Sequence, residues 1–312
     1  MTNNSIEHIP VLLKEAIIGL SIKKSGIYLD CTFGRGGHSR EILKKLGPNG
    51  RLIAMDKDQA AIESAKEFND KRFEIINSNF SQMEEILKKK NIKKLDGILM
   101  DLGVSSPQLD ESSRGFSFQS DAALDMRMDQ SQLLTAADIV NSYEEKELTE
   151  LLFLYGEEKF SKRIVRSILI HRDTIGPITR THELAKIINQ AVPKKEPRKN
   201  PATRTFQALR IKVNEEIEEV EKSLPVAFDY LKPKGRLVVI SFHSLEDRIV
   251  KNFTKFKMET DVIPKYIPIK ASEIKISSAK KIGKLITPST DETKLNPRSR
   301  SAKLRIIEKV TD

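Results

Sequence analysis

Asp30, Asp56 and Asp101 each close a short apolar run, and a loop carrying Gly34, Gly36 and Gly37 follows the first of them. An acid at a strand end, then glycines, then a helix is how doubly wound α/β domains bring backbone close to a nucleotide-like ligand. The glycines let the chain close on the ligand, and the amides opening the next helix can meet an anionic group. The loop departs from the dinucleotide fingerprint, because Ser39 occupies the third position of G-x-G-x-x-G. Asp56, in LIAMDKD, has the spacing of a carboxylate that accepts hydrogen bonds from ribose hydroxyls. It could equally cap the next helix. Nicotinamide and S-adenosylmethionine sites both use such an acid, so these residues alone leave the cofactor open.

Alternating elements must position these groups. Apolar runs at 27–30, 51–55, 73–76 and 95–102 read as strands, and 39–46, 59–68 and 82–90 as helices. That alternation implies βαβ units and a parallel sheet, with Asp56 and Asp101 at its carboxyl edge. From 105 to about 200 the pattern is helical, with helices expected at 138–155, 158–170 and 182–192. A long helix over 205–231, kinked at Pro225, and a strong strand at 236–242 resume the α/β pattern. Residues 255–296 are lysine-rich and weakly patterned, and a last strand is expected near 303–310. The fold expected is α/β with an all-helical insertion: 1–105 as the first part of the main domain, 106–200 as the insertion, and 201–312 as the second part.

Composition narrows the partners. The 312 residues carry 54 Lys and Arg against 44 Asp and Glu, a formal charge of +10 that suits a polyanion such as nucleic acid. The cations cluster at Lys88–Lys90 with Lys93 and Lys94; at Lys194, Lys195, Arg198, Lys199 and Arg204; at Lys280, Lys281 and Lys284; and at Arg298, Arg300, Lys303 and Arg305. Cys31 is the single cysteine, which excludes an internal disulfide and a cysteine zinc site; it reads as a small packing residue. Lys14 and Glu15 interrupt the apolar residues 11–20, so no signal peptide is expected. No uncharged stretch approaches a membrane span, and a cytoplasmic protein without a membrane partner or metal is expected.

These residues carry a family resemblance. HIPVLLKE (8–15), DCTFGRGGHS (30–39), MDKD (55–58), NF (79–80) and DLGVSSPQLD (101–110) resemble the bacterial 16S rRNA cytosine-N4 methyltransferases, the small-subunit rRNA methyltransferase H type. RGFSF (114–118), DMRMD (125–129), TFQALRI (205–211), SFHSLEDR (241–248) and NPRSRSAKLR (296–305) continue the match in order to the end of the chain. The resemblance implies a class I Rossmann-like fold and S-adenosylmethionine as cofactor. It also implies methyl transfer to N4 of cytidine 1402, in the decoding region of 16S rRNA, with the rRNA in the 30S subunit as partner.

Cofactor contacts are then expected at Gly36, Gly37, His38, Asp56, Phe80, Asp101 and Gln108, with Phe80 on adenine and Gln108 resting on the resemblance alone. His38 could instead cap its helix, and Phe80 could be an ordinary core residue. A cytosine amine is a poor nucleophile, so catalysis needs acceptors that hold it in line with the methyl group. Asp101 or a backbone carbonyl of the loop at 101–105 could do this. His243 reads first as a wall of the site and second as a proton acceptor, beside a helix start at Ser244 and Asp247 spaced like a capping box. RNA contacts are expected at Lys194, Lys195, Arg198, Lys199, Arg204, Arg298 and Arg300. DMRMD is expected to order the insertion internally, and the insertion could also serve a homodimer. A nicotinamide oxidoreductase, a methyltransferase acting on another nucleic acid, and a non-catalytic assembly factor are the rival readings.

Overall fold

The computed structural model of the chain describes residues 10–193, 200–259 and 277–311. The strands are β1 (Ile27–Asp30), β2 (Arg51–Asp56), β3 (Phe73–Asn77), β4 (Leu95–Asp101), β5 (Leu231–Ser241), β6 (Ala279–Lys281) and β7 (Lys303–Lys309). The first helices are α1 (Leu13–Leu20), α2 (Gly37–Lys45), α3 (Gln59–Ser64), α4 (Met83–Lys89), α5 (Ser106–Asp110), α6 (Ala136–Ser142) and α7 (Glu145–Gly156). Then come α8 (Ser161–Thr174), α9 (Thr181–Ala191), α10 (Ala202–Asn214), α11 (Glu216–Tyr230), α12 (Ser244–Met258) and α13 (Thr290–Leu295). The chain divides into two compact units, Met1–Gly103 with Glu218–Asp312, and Val104–Ile217.

The first unit is one sheet of order β3-β2-β1-β4-β5-β7-β6. β1 to β5 pair in parallel, and β7 runs antiparallel to both β5 and β6. A parallel sheet is covered on both faces, so its strands are apolar on both sides. Leu29, Ile53, Ile98, Met100, Leu237 and Val239 join the core that holds Leu224 and Phe228 of α11. Their neighbours Tyr28, Leu52, Leu99, Val238 and Ile240 pack with Ala16 and Leu20 of α1 and Ile42 and Leu43 of α2. Cys31 lies buried in the first of these layers, and burial pushes its thiol up, as suits packing. The antiparallel β7 between β5 and β6 departs from the all-parallel 3-2-1-4-5-6 order of dinucleotide domains.

The second unit is helical and has its own core, built from Leu148, Leu152, Ile164, Val165, Leu184, Ile188, Phe206 and Leu209 among others. It runs past the expected end at 200 to Ile217, because α10 buries Phe206, Ala208 and Leu209 there. DMRMD is the unit's internal tie. Arg127 clamps the Asp125 carboxylate through two bonds of 2.8 Å, and Arg114 donates to the carbonyls of Arg127 and Met128 at 3.0 and 2.9 Å.

Two expected helices are each two. The helix at 205–231 breaks at Glu215, which takes a left-handed φ of 50°. There the Asn214 side chain turns to the backbone of Met126 and Met128, both bonds 2.8 Å, and Arg210 grips Glu216 bidentately at 2.8 Å. Pro225 lies inside α11 and does not end it. The helix at 138–155 stops at Ser142, where Asn141 bonds both the carbonyl and the N–H of Ile178 at 2.8 Å, and restarts behind a capping box of Glu144 and Glu147. No helix among the described residues is long and apolar enough to cross a membrane.

Buried Asn214 accepts from the N–H of Met128 and donates to the carbonyl of Met126. Asn214→Ala strands them without water, and we expect a loss of about 2–4 kcal/mol of stability, read from urea denaturation.

Candidate functional site

The carboxyl ends of β1, β2 and β4 carry Asp30, Asp56 and Asp101, and the sheet order makes β1 and β4 neighbours on either side of the reversal point. Backbone bonds fix the loop after β1. Cys31 N–H donates to Leu99 O at 2.9 Å, Phe33 N–H to Met55 O at 3.0 Å, and Asp101 N–H to Thr32 Oγ1 at 2.7 Å. Gly36, with φ 73°, is the N-cap of α2; a side chain there would be strained and would collide with Phe33 and Phe68.

Each acid is held differently. Asp30 is fully buried, accepting from Ser39 Oγ at 2.7 Å and Thr32 N–H at 3.2 Å. Burial pushes its pKa up to about 7, against the lowering effect of those two bonds. Asp56 accepts from Gly34 N–H at 2.8 Å and Asp58 N–H at 2.9 Å, one on each oxygen, while burial raises it to about 6. Each oxygen keeps a lone pair for a hydroxyl donor. The helix-cap task falls to Asp58, whose carboxylate accepts from Ala60 N–H at 3.0 Å. Asp101 is pushed well above the usual carboxylate range by burial and by the negative charges of Asp30 and Glu246. Its Oδ1 is buried without a hydrogen-bond partner, and its Oδ2 lies 3.7 Å from Nδ1 of His38. His38 itself is buried in the first turn of α2.

The remaining expected residues are spread more widely. Phe80 is half-buried against the core, in the short turn before α4. Gln108 belongs to the helical unit, where its Oε1 accepts from Ser105 N–H at 2.9 Å. His243 is the N-cap of α12: its Nδ1 accepts from Glu246 N–H at 3.4 Å, and its Nε2 lies 3.2 Å from Glu246 Oε1. The capping box therefore pairs His243 with Glu246, one residue before the expected Ser244 and Asp247. The Nε2 of His243 is buried without a hydrogen-bond partner. Asp247 instead binds Arg305 at 2.8 Å and Lys303 at 3.2 Å.

Much of the clustered positive charge is paired internally. Lys88 binds Glu84 and Lys89 binds Glu85, at 2.6 and 2.7 Å; Lys90 binds Glu74; and Lys280 binds Glu308 at 2.8 Å. Arg204, also expected to contact RNA, stands 3.9 Å from buried Glu158 within the helical unit. Arg298 and Arg300 are exposed in the turn Pro297–Ser301. Lys194, Lys195, Arg198 and Lys199 lie outside the described residues.

Glu246 is the site group that reading the sequence misses, and Asp30, placed by the sequence at its strand end beside the glycine loop, is given no role there. Glu246 was hidden by reading the helix start one residue late.

Three groups thus favour the protonated state, and two of them have pKa values of about 6 and 7. A folded pKa above the unfolded value means that the native state holds extra protons between about pH 4 and 7, so stability falls as pH rises through that window. Asp30→Asn removes one such group while keeping an acceptor for Ser39. Its urea midpoint is expected to match that of the unaltered protein near pH 4 and to exceed it by about 2–4 kcal/mol equivalent at pH 8.

A family model described as the MraW methylase family matches residues 5–310 of this chain. The chain is 52% identical over 303 residues to the ribosomal RNA small subunit methyltransferase H of Methylobacillus flagellatus, covering 97% of this chain and 94% of that protein. It is 52% identical over 311 residues to the protein of the same name from Alteromonas mediterranea, covering 98% and 99%. A third of that name, from Nitrosospira multiformis, is 48% identical over 309 residues, covering 97% and 98%.

Proposed function

The chain belongs to the MraW methylase family, and on that premise we propose that it transfers a methyl group from S-adenosylmethionine to N4 of cytidine 1402 in 16S rRNA. The observation that carries the cofactor reading is the crowd of carboxylates at the strand ends, above all the buried, unpartnered Oδ1 of Asp101. Such a cluster suits a ligand that brings positive charge and N–H donors into it. S-adenosylmethionine carries a sulfonium and an ammonium, a carboxylate that suits the amides opening α2, and a ribose that suits Asp56. The residues fit that group, and relatives named as small-subunit rRNA methyltransferases support rRNA as the acceptor.

When bound, the cofactor supplies an electrophilic methyl group on its sulfonium. The protein's part is to bind, orient and neutralise. Gly36 supplies the left-handed turn that opens α2 and presents the N–H groups of Gly37 and His38 to the ligand's carboxylate. Asp56, already oriented by Gly34 and Asp58, takes both ribose hydroxyls. Phe80 borders the adenine. Asp101 would hold the cofactor ammonium, or would accept a hydrogen bond from the target amine and so keep that amine's lone pair in line with the methyl group. His243 lines the site as an N-cap rather than as a base; the methylated amine sheds its proton to solvent. Arg298 and Arg300 meet rRNA phosphates, in a substrate that is the 30S subunit.

The test is methyl transfer from labelled S-adenosylmethionine to small subunits lacking the modification, followed by nucleoside mass spectrometry. N4-methylated cytidine is the expected product, and Asp101→Asn is expected to lower turnover by at least about 100-fold. Cofactor binding without transfer would move the reading to another acceptor or to an assembly role. Unchanged turnover in the variant would remove Asp101 from the mechanism.

A further inference from the structure

Pro10 opens the described chain, and Leu12 is held by an acid 280 residues away. Leu12 is a non-glycine residue in the left-handed region, with φ 53° and ψ 33°, at the N-cap of α1. A branched side chain in that conformation is unfavourable and persists only where its surroundings impose it. Two contacts do so. The Leu12 side chain is buried in the core beside α1 and α2, and its N–H donates to Glu292 Oε1 at 2.7 Å. Glu292 lies on α13, a single short helix whose N-cap Ser289 accepts from the Glu292 N–H at 3.1 Å, fixing the acid from behind.

The segment so held lies directly on the cofactor loop. A Cβ at Gly37 would fall onto the ring of Pro10, so the glycine that opens α2 is roofed by the proline two residues before Leu12. Gly37 has an ordinary helical backbone, so what makes glycine necessary there is this close approach and not a left-handed turn.

We propose that Glu292 is a positioning residue for the cofactor, latching Pro10–Leu12 over the Gly36–Gly37 turn and so keeping the methionine end of the S-adenosylmethionine site closed. The proposal rests on the cofactor reading above. Glu292 touches no reacting atom; it acts through the Leu12 N–H and the Pro10 ring. Without the acceptor, the left-handed turn at Leu12 relaxes and Pro10 lifts from α2. A carboxamide can replace the carboxylate, because the bond needs an acceptor oxygen and not a charge.

The test is calorimetric titration of the full-length protein with S-adenosylhomocysteine, for Glu292→Ala and Glu292→Gln. Glu292→Ala is expected to weaken binding about 5- to 20-fold, a coupling of about 1–2 kcal/mol, and to speed amide exchange at Gly36–Arg40. Glu292→Gln restores both. At saturating cofactor, kcat in Glu292→Ala stays within about twofold of the unaltered protein, so the loss falls on KM. Should Glu292→Ala fold poorly, Pro10→Ala removes the roof without touching the latch and is expected to weaken binding in the same direction. Unaltered affinity and exchange in a folded Glu292→Ala or Pro10→Ala would overturn the latch. Failure of the unaltered protein to bind S-adenosylhomocysteine would instead overturn the cofactor reading on which the latch depends.

Discussion

Asp101, at the carboxyl edge of the parallel sheet, is buried beside two further acids, Asp30 and Glu246, whose negative charges act on it. Burial and these charges oppose its ionisation and burial opposes that of Asp30, while Glu246 accepts the backbone N–H groups of Phe242 and His243. That the acids stand there is a departure from the stability optimum of the kind that binding sites carry. It sets a requirement on the ligand, which must bring positive charge. The order of the strands, the turn at Gly36 and the placement of α12 all serve to hold these acids in one place.

The helical unit answers to a separate constraint. Its core is complete among its own helices, and its polar ties close on themselves, with Arg127 on Asp125, Arg210 on Glu216, and Asn214 on the backbone of Met126 and Met128. Such a unit can be inserted in the chain between β4 and β5 while those strands still pair in parallel. Its basic residues follow the same economy. Arg204 spends its charge near Glu158, just as Lys303 and Arg305 spend theirs on Asp247. A net charge of +10 therefore overstates the surface open to RNA.

Much of this was legible in the sequence, and for identifiable reasons. Strands β1 to β4 announce themselves because a parallel sheet buried on both faces needs unbroken apolar runs, and the acids mark where each run ends. The final strand was equally plain. The breaks at Glu215 and at Ser142 were not, because each is imposed by a distant partner: Met126 and Met128 for Asn214, and Ile178 for Asn141. The beginning of β5 was also missed. It reaches back through Lys234, with φ 64°, and its register with β4 shifts between Leu95 and Gly97, an irregularity that Pro233 and Gly235 in the sequence disguise as a loop. The ion pairs lie beyond pattern reading altogether, since nothing local to Arg305 points to Asp247. Asp30 is a different case: its place at a strand end is plain in the sequence, but its burial against Ser39 is not.

The central claim is that the crowded carboxylates are the reason this site takes a cationic cofactor. The measurement that tests it most directly is the heat of S-adenosylmethionine binding near pH 6.5, in buffers of differing ionisation enthalpy. A ligand that brings positive charge stabilises the ionised carboxylates and lowers their pKa, so binding is expected to release protons and the apparent heat to change with the buffer. Binding with a heat independent of the buffer would mean that these groups exchange no protons on loading, and would contradict the account.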